Sequence, residues 1–303
     1  MKRYGTTVTE FLCVALCVAC CTPLASAQWV KAPSADVLKR TRGLIHETFP
    51  SASMNTDVGY SIVLPPGYGN GEKRYPVVYS LHGGSGNECS SLFTAQSWEK
   101  LYKTTDTREV ILVYPNGFRS GYMDHHDGSI MIESMIIKEL IPRIDERYRT
   151  ITSAAGRAAH GFSMGSSGAL KFAVKYPDMF CAAVEYGGGA IDLDNTKMSF
   201  TLKILEKNLA SDPKLIQQNN TYHFLKRNHE VVRRNQIEFL LICGEDDSWK
   251  ESAVTFQAAL VAENIPCPLT LVPGVGHDIR MLTEAEGMTA ARFQDRIFRR
   301  TLE

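Results

Sequence analysis

The chain has 303 residues, with 33 Lys and Arg against 33 Asp and Glu and a formal net charge of zero at neutral pH. That balance gives no electrostatic footprint for nucleic acid or another polyanion, so such partners are not expected. The length suits one large α/β domain, and no internal repeat, low-complexity tract or Pro/Ser-rich linker divides it, so residues 28–303 read as a single domain.

At the start of the chain, Lys2 and Arg3 precede an apolar run from Phe11 to Cys21, and Ala25-Ser26-Ala27 follows as a small-residue cleavage site. This is the pattern of a secretory signal peptide over residues 1–27, with the mature chain starting at Gln28. An acylated lipoprotein anchor is the weaker alternative, because neither Cys20 nor Cys21 has a leucine three residues before it. No later stretch reaches the roughly 18 apolar residues of a membrane span. Export would place Cys89, Cys181, Cys243 and Cys267 where disulfides are permitted, though their wide spacing fits no zinc pattern. Cys181 and Cys243 sit in apolar runs and read as buried free thiols.

Residues 28–57 are weakly patterned and read as a surface wrap. Strands are predicted at Tyr60–Leu64, Tyr75–Leu81 and Val110–Tyr114, each closed by glycine or proline turn chemistry. Ile130–Tyr148 keeps Ile132, Ile136, Ile137, Leu140, Ile141 and Ile144 on helical spacing, with Pro142 marking a kink or break. A further strand leads into the residue-163 turn, and the helix after it should close at Tyr176-Pro177. Phe180–Tyr186 and Glu238–Cys243 are apolar runs of the kind buried on both faces of a parallel sheet. Between them, 192–235 is polar and rich in Asn, a helical excursion over the top of the sheet. Ser252–Ala262 reads as a helix, Pro268–Val272 as the last strand and Glu284–Leu302 as a closing helix. Strands alternating with helices predict a doubly wound, mostly parallel α/β fold, with helices on both faces and ligands beyond the carboxyl ends of the strands.

The chemistry centres on Gly161-Phe162-Ser163-Met164-Gly165, a G-x-S-x-G between a strand and a helix. A serine on so tight a turn needs glycine two residues to either side for the flanking segments to approach, and its hydroxyl then stands clear of the sheet. The Met164 amide, at the helix start, is free to bind a developing oxyanion. In this fold an acid and then a histidine follow the serine in chain order. His277, after the last strand, is the candidate base. Glu245, Asp246, Asp247 and Asp278 are the candidate acids.

Further motifs complete a likeness. Leu64-Pro65-Pro66-Gly67-Tyr68, Tyr75 to Gly84, Tyr114 to Gly117, Arg157 to Gly165 and Pro273 to Asp278 occur in an order that resembles the putative-esterase family of α/β-hydrolases. That family takes in feruloyl and acetyl xylan esterases, enterochelin esterases, S-formylglutathione hydrolases and mycolyl transferases, and the likeness runs from about Tyr60 to His277. The resemblance implies an α/β-hydrolase fold. It selects Asp247 as the acid, at the end of a G-x-x-D motif, and the amide of Gly84, after His-Gly, as the second oxyanion donor. It places Tyr122 and Asp124 on the cleft as substrate contacts. Ser166 departs from the second glycine that many members carry after S-M-G.

Trp249, two residues past Asp247, offers an aromatic face for a sugar or a cinnamoyl ring. His82 reads as structural and His160 as a satisfied core histidine. Asp124-His125-His126-Asp127 looks like a metal site, but neighbouring loop histidines seldom converge on one ion, and neither metal nor cofactor is expected. The resulting expectation is a secreted serine esterase acting on a small-molecule or polysaccharide ester, removing acetyl or feruloyl groups. Alternatives are a siderophore esterase, an acyltransferase with the same three residues, and a non-catalytic carbohydrate-binding module. Oligomeric state is not legible.

Overall fold

A computed structural model describes residues 28–104, 106–195 and 199–302. The signal peptide predicted over 1–27 lies outside the described residues. One sheet is formed by β1 (Leu44–Ser51), β2 (Thr56–Val63), β3 (Val77–Leu81), β4 (Ile111–Pro115), β5 (Arg157–Phe162), β6 (Ala182–Tyr186), β7 (Glu238–Gly244) and β8 (Leu269–Val272). Their order is β1-β2-β4-β3-β5-β6-β7-β8. β1, β2 and β4 pair antiparallel, and every pairing from β4 to β8 is parallel.

Burial on both faces explains the apolar runs. Val77 and Tyr79 of β3 pack into one layer while Val78, between them, packs into the other. The first layer is built by α3 (Ile132–Ser134), a π-helical stretch (Met135–Leu140), α4 (Ile141–Arg147), α5 (Met164–Lys175), α8 (Thr221–Arg234) and α9 (Lys250–Ala262). The second holds α2 (Ala95–Thr104) and α10 (Ile279–Leu302).

Several expectations shift. Residues 28–57 are no mere wrap, for they contain the short helix α1 (Ala35–Arg40) and β1. β1 is an edge strand whose His46, Glu47 and Thr48 blur the alternation that would have revealed it. α2, between β3 and β4, was not anticipated. The expected break at Pro142 takes the form of the π-helical stretch just before it. Proline has no N–H to donate to the preceding turn, and a widened turn accommodates that loss without ending the helix.

The excursion at 192–235 also differs from expectation. α6 (Ser199–Leu209) and α7 (Pro213–Gln217) form a small cluster with Met123 and Leu193. α8 instead belongs to the body, packing Phe224, Leu225 and Val232 against Leu170 and Val174 of α5. α10 starts five residues earlier than the pattern implied, capped by the Asp278 carboxylate, which accepts from the amides of Arg280 and Met281. Among the described residues no helix is long and apolar enough to cross a membrane. Cys89, Cys181, Cys243 and Cys267 are free thiols.

Candidate active site

Ser163, His277, Asp247, Gly84 and Met164 gather at the carboxyl ends of β3, β5, β7 and β8. Ser163 occupies the turn between β5 and α5 at φ 56°, ψ −117°, a backbone conformation that a side chain adopts only under strain. Two contacts hold it there: its N–H donates to the carbonyls of Gly187 (2.9 Å) and Tyr186 (3.1 Å). The flanking glycines are required sterically. A Cβ at Gly161 would lie 2.1 Å from the Gly165 carbonyl oxygen, and one at Gly165 would lie 2.0 Å from that of Leu81. Ser166, the departure from the family pattern, is buried, and its hydroxyl donates to the carbonyls of Gly161 (2.9 Å) and Tyr186 (3.0 Å). It ties both strand ends beneath the turn.

His277 and Asp247 reach Ser163 from the next two strand ends. The loops after β7 and β8 are locked together by Asp246 N–H donating to Val275 O (3.0 Å) and Glu245 N–H to Val272 O (2.9 Å). His277 Nδ1 lies 2.8 Å from Asp247 Oδ2, and its Nε2 lies 2.8 Å from Ser163 Oγ. With an ionised Asp247 as acceptor, Nδ1 carries the proton and Nε2 is left to accept from the serine hydroxyl. Asp247 is buried and its Oδ1 also accepts from Trp249 N–H at 2.8 Å, so both oxygens are engaged. Glu245 and Asp246 are exposed, and Asp278 caps α10. Of the four acidic candidates, only Asp247 meets the imidazole.

Gly84 and Met164 are adjacent: a Cβ built on Gly84 would sit 3.9 Å from Met164 Sδ and 4.0 Å from its Cβ. Met164 opens α5, so its amide has no partner within the helix. The loop that presents Gly84 is fixed by His82. The His82 Nδ1–H donates to Gly83 O (2.7 Å), and its Nε2 accepts from Gly117 N–H (2.8 Å). Burial pushes His82 down to about 4, against its bond to Gly83, so the ring is neutral at pH 7. The Arg119 Nε–H donates to Gly84 O from the exposed side at 3.0 Å.

Two expected contacts do not face the cleft. Tyr122 is wholly buried at φ 52°, its ring wedged where Gly117 and Gly168 leave room and its hydroxyl donating to His82 O (3.2 Å). It is a strut between the His82 loop and α5. Asp124 turns away as well, accepting from Ser134 N–H (3.0 Å) and Ser134 Oγ–H (2.6 Å). With Asp127 occupied by Ser129, no group of three or more His, Cys, Asp or Glu among the described residues is placed to hold a metal.

Trp249 does stand beside the site, its ring centroid 6.5 Å from that of His277. His160 is buried without a partner for Nε2, so it is a core histidine but not a satisfied one, and burial lowers it to about 4. Sequence reasoning missed Phe162, whose ring lies 4.6 Å from that of His277, and the Gly187-Gly188-Gly189 turn at the end of β6. Three successive glycines at a strand's end were the available signal.

The sheet order and the strand-turn-helix at Ser163 are those of an α/β-hydrolase fold. Residues 51–190 match the family model described as Putative esterase. An esterase of Mycobacterium tuberculosis is 31% identical over 167 residues, covering 54% of this chain and 35% of the relative. An endo-1,4-beta-xylanase/feruloyl esterase of Xylanibacter ruminicola is 29% identical over 143 residues, covering 44% of this chain and 20% of that one. The chain thus spans about a third or less of the length of these curated relatives. Among solved structures, a ferulic acid esterase superposes with a TM-score of 0.71 at 24% identity, covering 84% of this chain and 98% of the other. The likeness to the putative-esterase family model covers just under half of the chain.

Proposed function

We propose that the protein is a serine carboxylic-ester hydrolase working through an acyl-enzyme. One observation carries the reading: the unbroken line Ser163 Oγ, His277 Nε2, His277 Nδ1, Asp247 Oδ2, with 2.8 Å at each gap, set on strained backbone at the mouth of a parallel sheet. Ser163 Oγ attacks the ester carbonyl while His277 Nε2 takes its proton. Asp247 holds the imidazole in the required tautomer and stabilises the imidazolium. The amides of Met164 and Gly84 receive the oxyanion, and His277 returns the proton to the leaving alkoxide. Water then repeats the sequence on the acyl-serine. None of these steps calls for a cofactor.

The substrate reading is an acetyl or feruloyl ester on a polysaccharide, met outside the cytoplasm if the 1–27 leader exports the chain. With Tyr122 and Asp124 withdrawn, its residue-level support is Trp249 at the cleft and a polar 192–235 excursion in place of a broad apolar lid. The full chain is expected to hydrolyse p-nitrophenyl acetate, and Ser163→Ala to lose rate by a factor approaching ~10⁶. An alanine variant as active as the parent would end this reading. Acetylated xylan, methyl ferulate, a catecholate trilactone and p-nitrophenyl palmitate, compared side by side, test the acyl class. Faster turnover of the palmitate would overturn it, and ester products formed with an added alcohol would favour acyl transfer.

A further inference from the structure

Glu185 has no part in the steps above, yet its placement is hard to account for structurally. It sits in β6 with 0% exposure, flanked by Gly161 of β5 and Leu241 of β7 in the middle of the parallel sheet. Both carboxyl oxygens are sealed from water and neither makes a hydrogen bond of good geometry, although the Gly188 and Gly189 amides are close by. The titratable groups that face it are Asp247 on the loop after β7, the thiol of Cys243 on β7 and that of Cys267 ahead of β8. All three are acids, and β5 offers only the side-chain-free Gly161. A carboxylate in such surroundings is far costlier than a carboxylic acid.

The turn that follows Glu185 touches both ends of the candidate site. The Gly187 carbonyl accepts the Ser163 N–H, and a Cβ on Gly187 would lie 2.8 Å from Asp247 Oδ2. Gly187 and Gly189 have φ of 54° and 56° and leave no room for a Cβ, so this turn packs closely on the site through its backbone.

We propose that Glu185 is a positioning residue for the Asp247–His277 pair. As a neutral acid it leaves Asp247 the one negative charge beneath the imidazole and the Gly187–Gly189 turn undisturbed, and its ionisation impairs the site. A second carboxylate beside Asp247 would draw the Gly188 and Gly189 amides inward and pull on the carbonyl that anchors Ser163. Burial first, and the Asp247 charge after it, raise Glu185 to about 8, with the two glycine amides opposing. The switch therefore lies on the alkaline side of neutrality.

This inference rests on the triad reading, and its test separates the two. The rate at which a fluorophosphonate probe labels the full chain is measured from about pH 6 to about pH 10 for the parent and Glu185→Gln, each normalised to its own value at pH 7, with Ser163→Ala as the control that should not label. The parent should lose roughly tenfold across a limb centred near 8, the change produced by one pKa unit of altered interaction. Glu185→Gln should lack that limb. If the glutamine variant follows the parent's limb, Glu185 has no such role; if Ser163→Ala still labels, the triad reading itself fails. Should the glutamine variant not fold, infrared spectra of the parent decide the matter. A protonated buried carboxyl should be present at pH 7 and lost by about pH 9.5, and its absence at pH 7 or persistence above that range would refute the proposal.

Discussion

His82 and Ser166 are buried, yet each fixes part of the geometry around Ser163. Protonating His82 would put a hydrogen on Nε2, where Gly117 N–H now donates, and would unseat the Gly83-Gly84 loop. His82 and His160 both have folded-state values near 4 against an ordinary 6.5, each lowered by burial. Between those values the unfolded chain binds the protons, so their contribution to stability is complete above about 6.5 and is lost as pH falls towards 4. Glu185, raised to about 8, works in the opposite sense, its contribution fading as pH rises from the ordinary 4.5 to that value. With two histidines against one carboxyl, the melting temperature should fall from pH 6.5 to pH 4.5, and His82→Gln should flatten that fall. A level profile for the parent would falsify the assignment. At this scale the sequence was most informative about residues that the fold sets in chain order, namely Ser163, Asp247 and His277, whose side chains meet. It was least informative about Tyr122 and Asp124, because motif position puts a residue on a loop but does not say which way the side chain turns. A positive φ at Tyr122 and a serine ten residues beyond Asp124 decided that.

Between elements, the feature that joins α5 to the loops around the site is a buried ammonium. Lys171 Nζ donates to Tyr122 O (2.7 Å), Glu133 Oε2 (2.7 Å) and Asn219 Oδ1 (3.4 Å), so one side chain of α5 holds α3, the Tyr122 strut and the turn before α8. Burial would raise Glu133, but Lys171 and Lys175 outweigh it and bring it to about 2; burial also lowers Lys171, and the geometry of two ammonium groups on one carboxylate is that of an ion pair. Lys171→Met strands part of that charge and should cost about 3 kcal/mol, the scale for removing one partner of a buried pair. Lys175→Met, at the more exposed edge of the same cluster, should cost about 1 kcal/mol. Chemical denaturation of the two variants checks the order, and equal losses would mean that the cluster is not the anchor described. None of this network was visible in the sequence, where Lys171 is merely one cation in an apolar helix. Strands whose every residue is buried announced themselves. β1 did not, since an edge strand exposes one face and carries whatever polar residues solvent permits.

For the molecule as a whole, two helical layers and a succession of parallel strands bring residues 84, 163, 247 and 277 to one edge from distant parts of the chain. The alternation of strand and helix signals was enough to place that edge. It was not enough to divide the 192–235 excursion, because α6 and α8 both carry an apolar stripe and it is their partners that separate them: Met123 and Leu193 for one, α5 for the other.

The strained elbow has a consequence for how such a protein ages under selection. Holding a non-glycine residue at φ 56°, ψ −117° costs on the order of 1–3 kcal/mol. Glycine would relieve that strain while losing about 0.4–1 kcal/mol through the greater freedom of its unfolded chain. Ser163→Gly should therefore melt higher than the parent, and higher than Ser163→Ala, which keeps the strain; a lower melting temperature for the glycine variant would contradict this. Heat resistance and turnover pull against each other at this single codon. With Ser163 as the nucleophile proposed above, a lineage selected only for durability would trade it for glycine, and selection for ester hydrolysis is what would keep the serine in place.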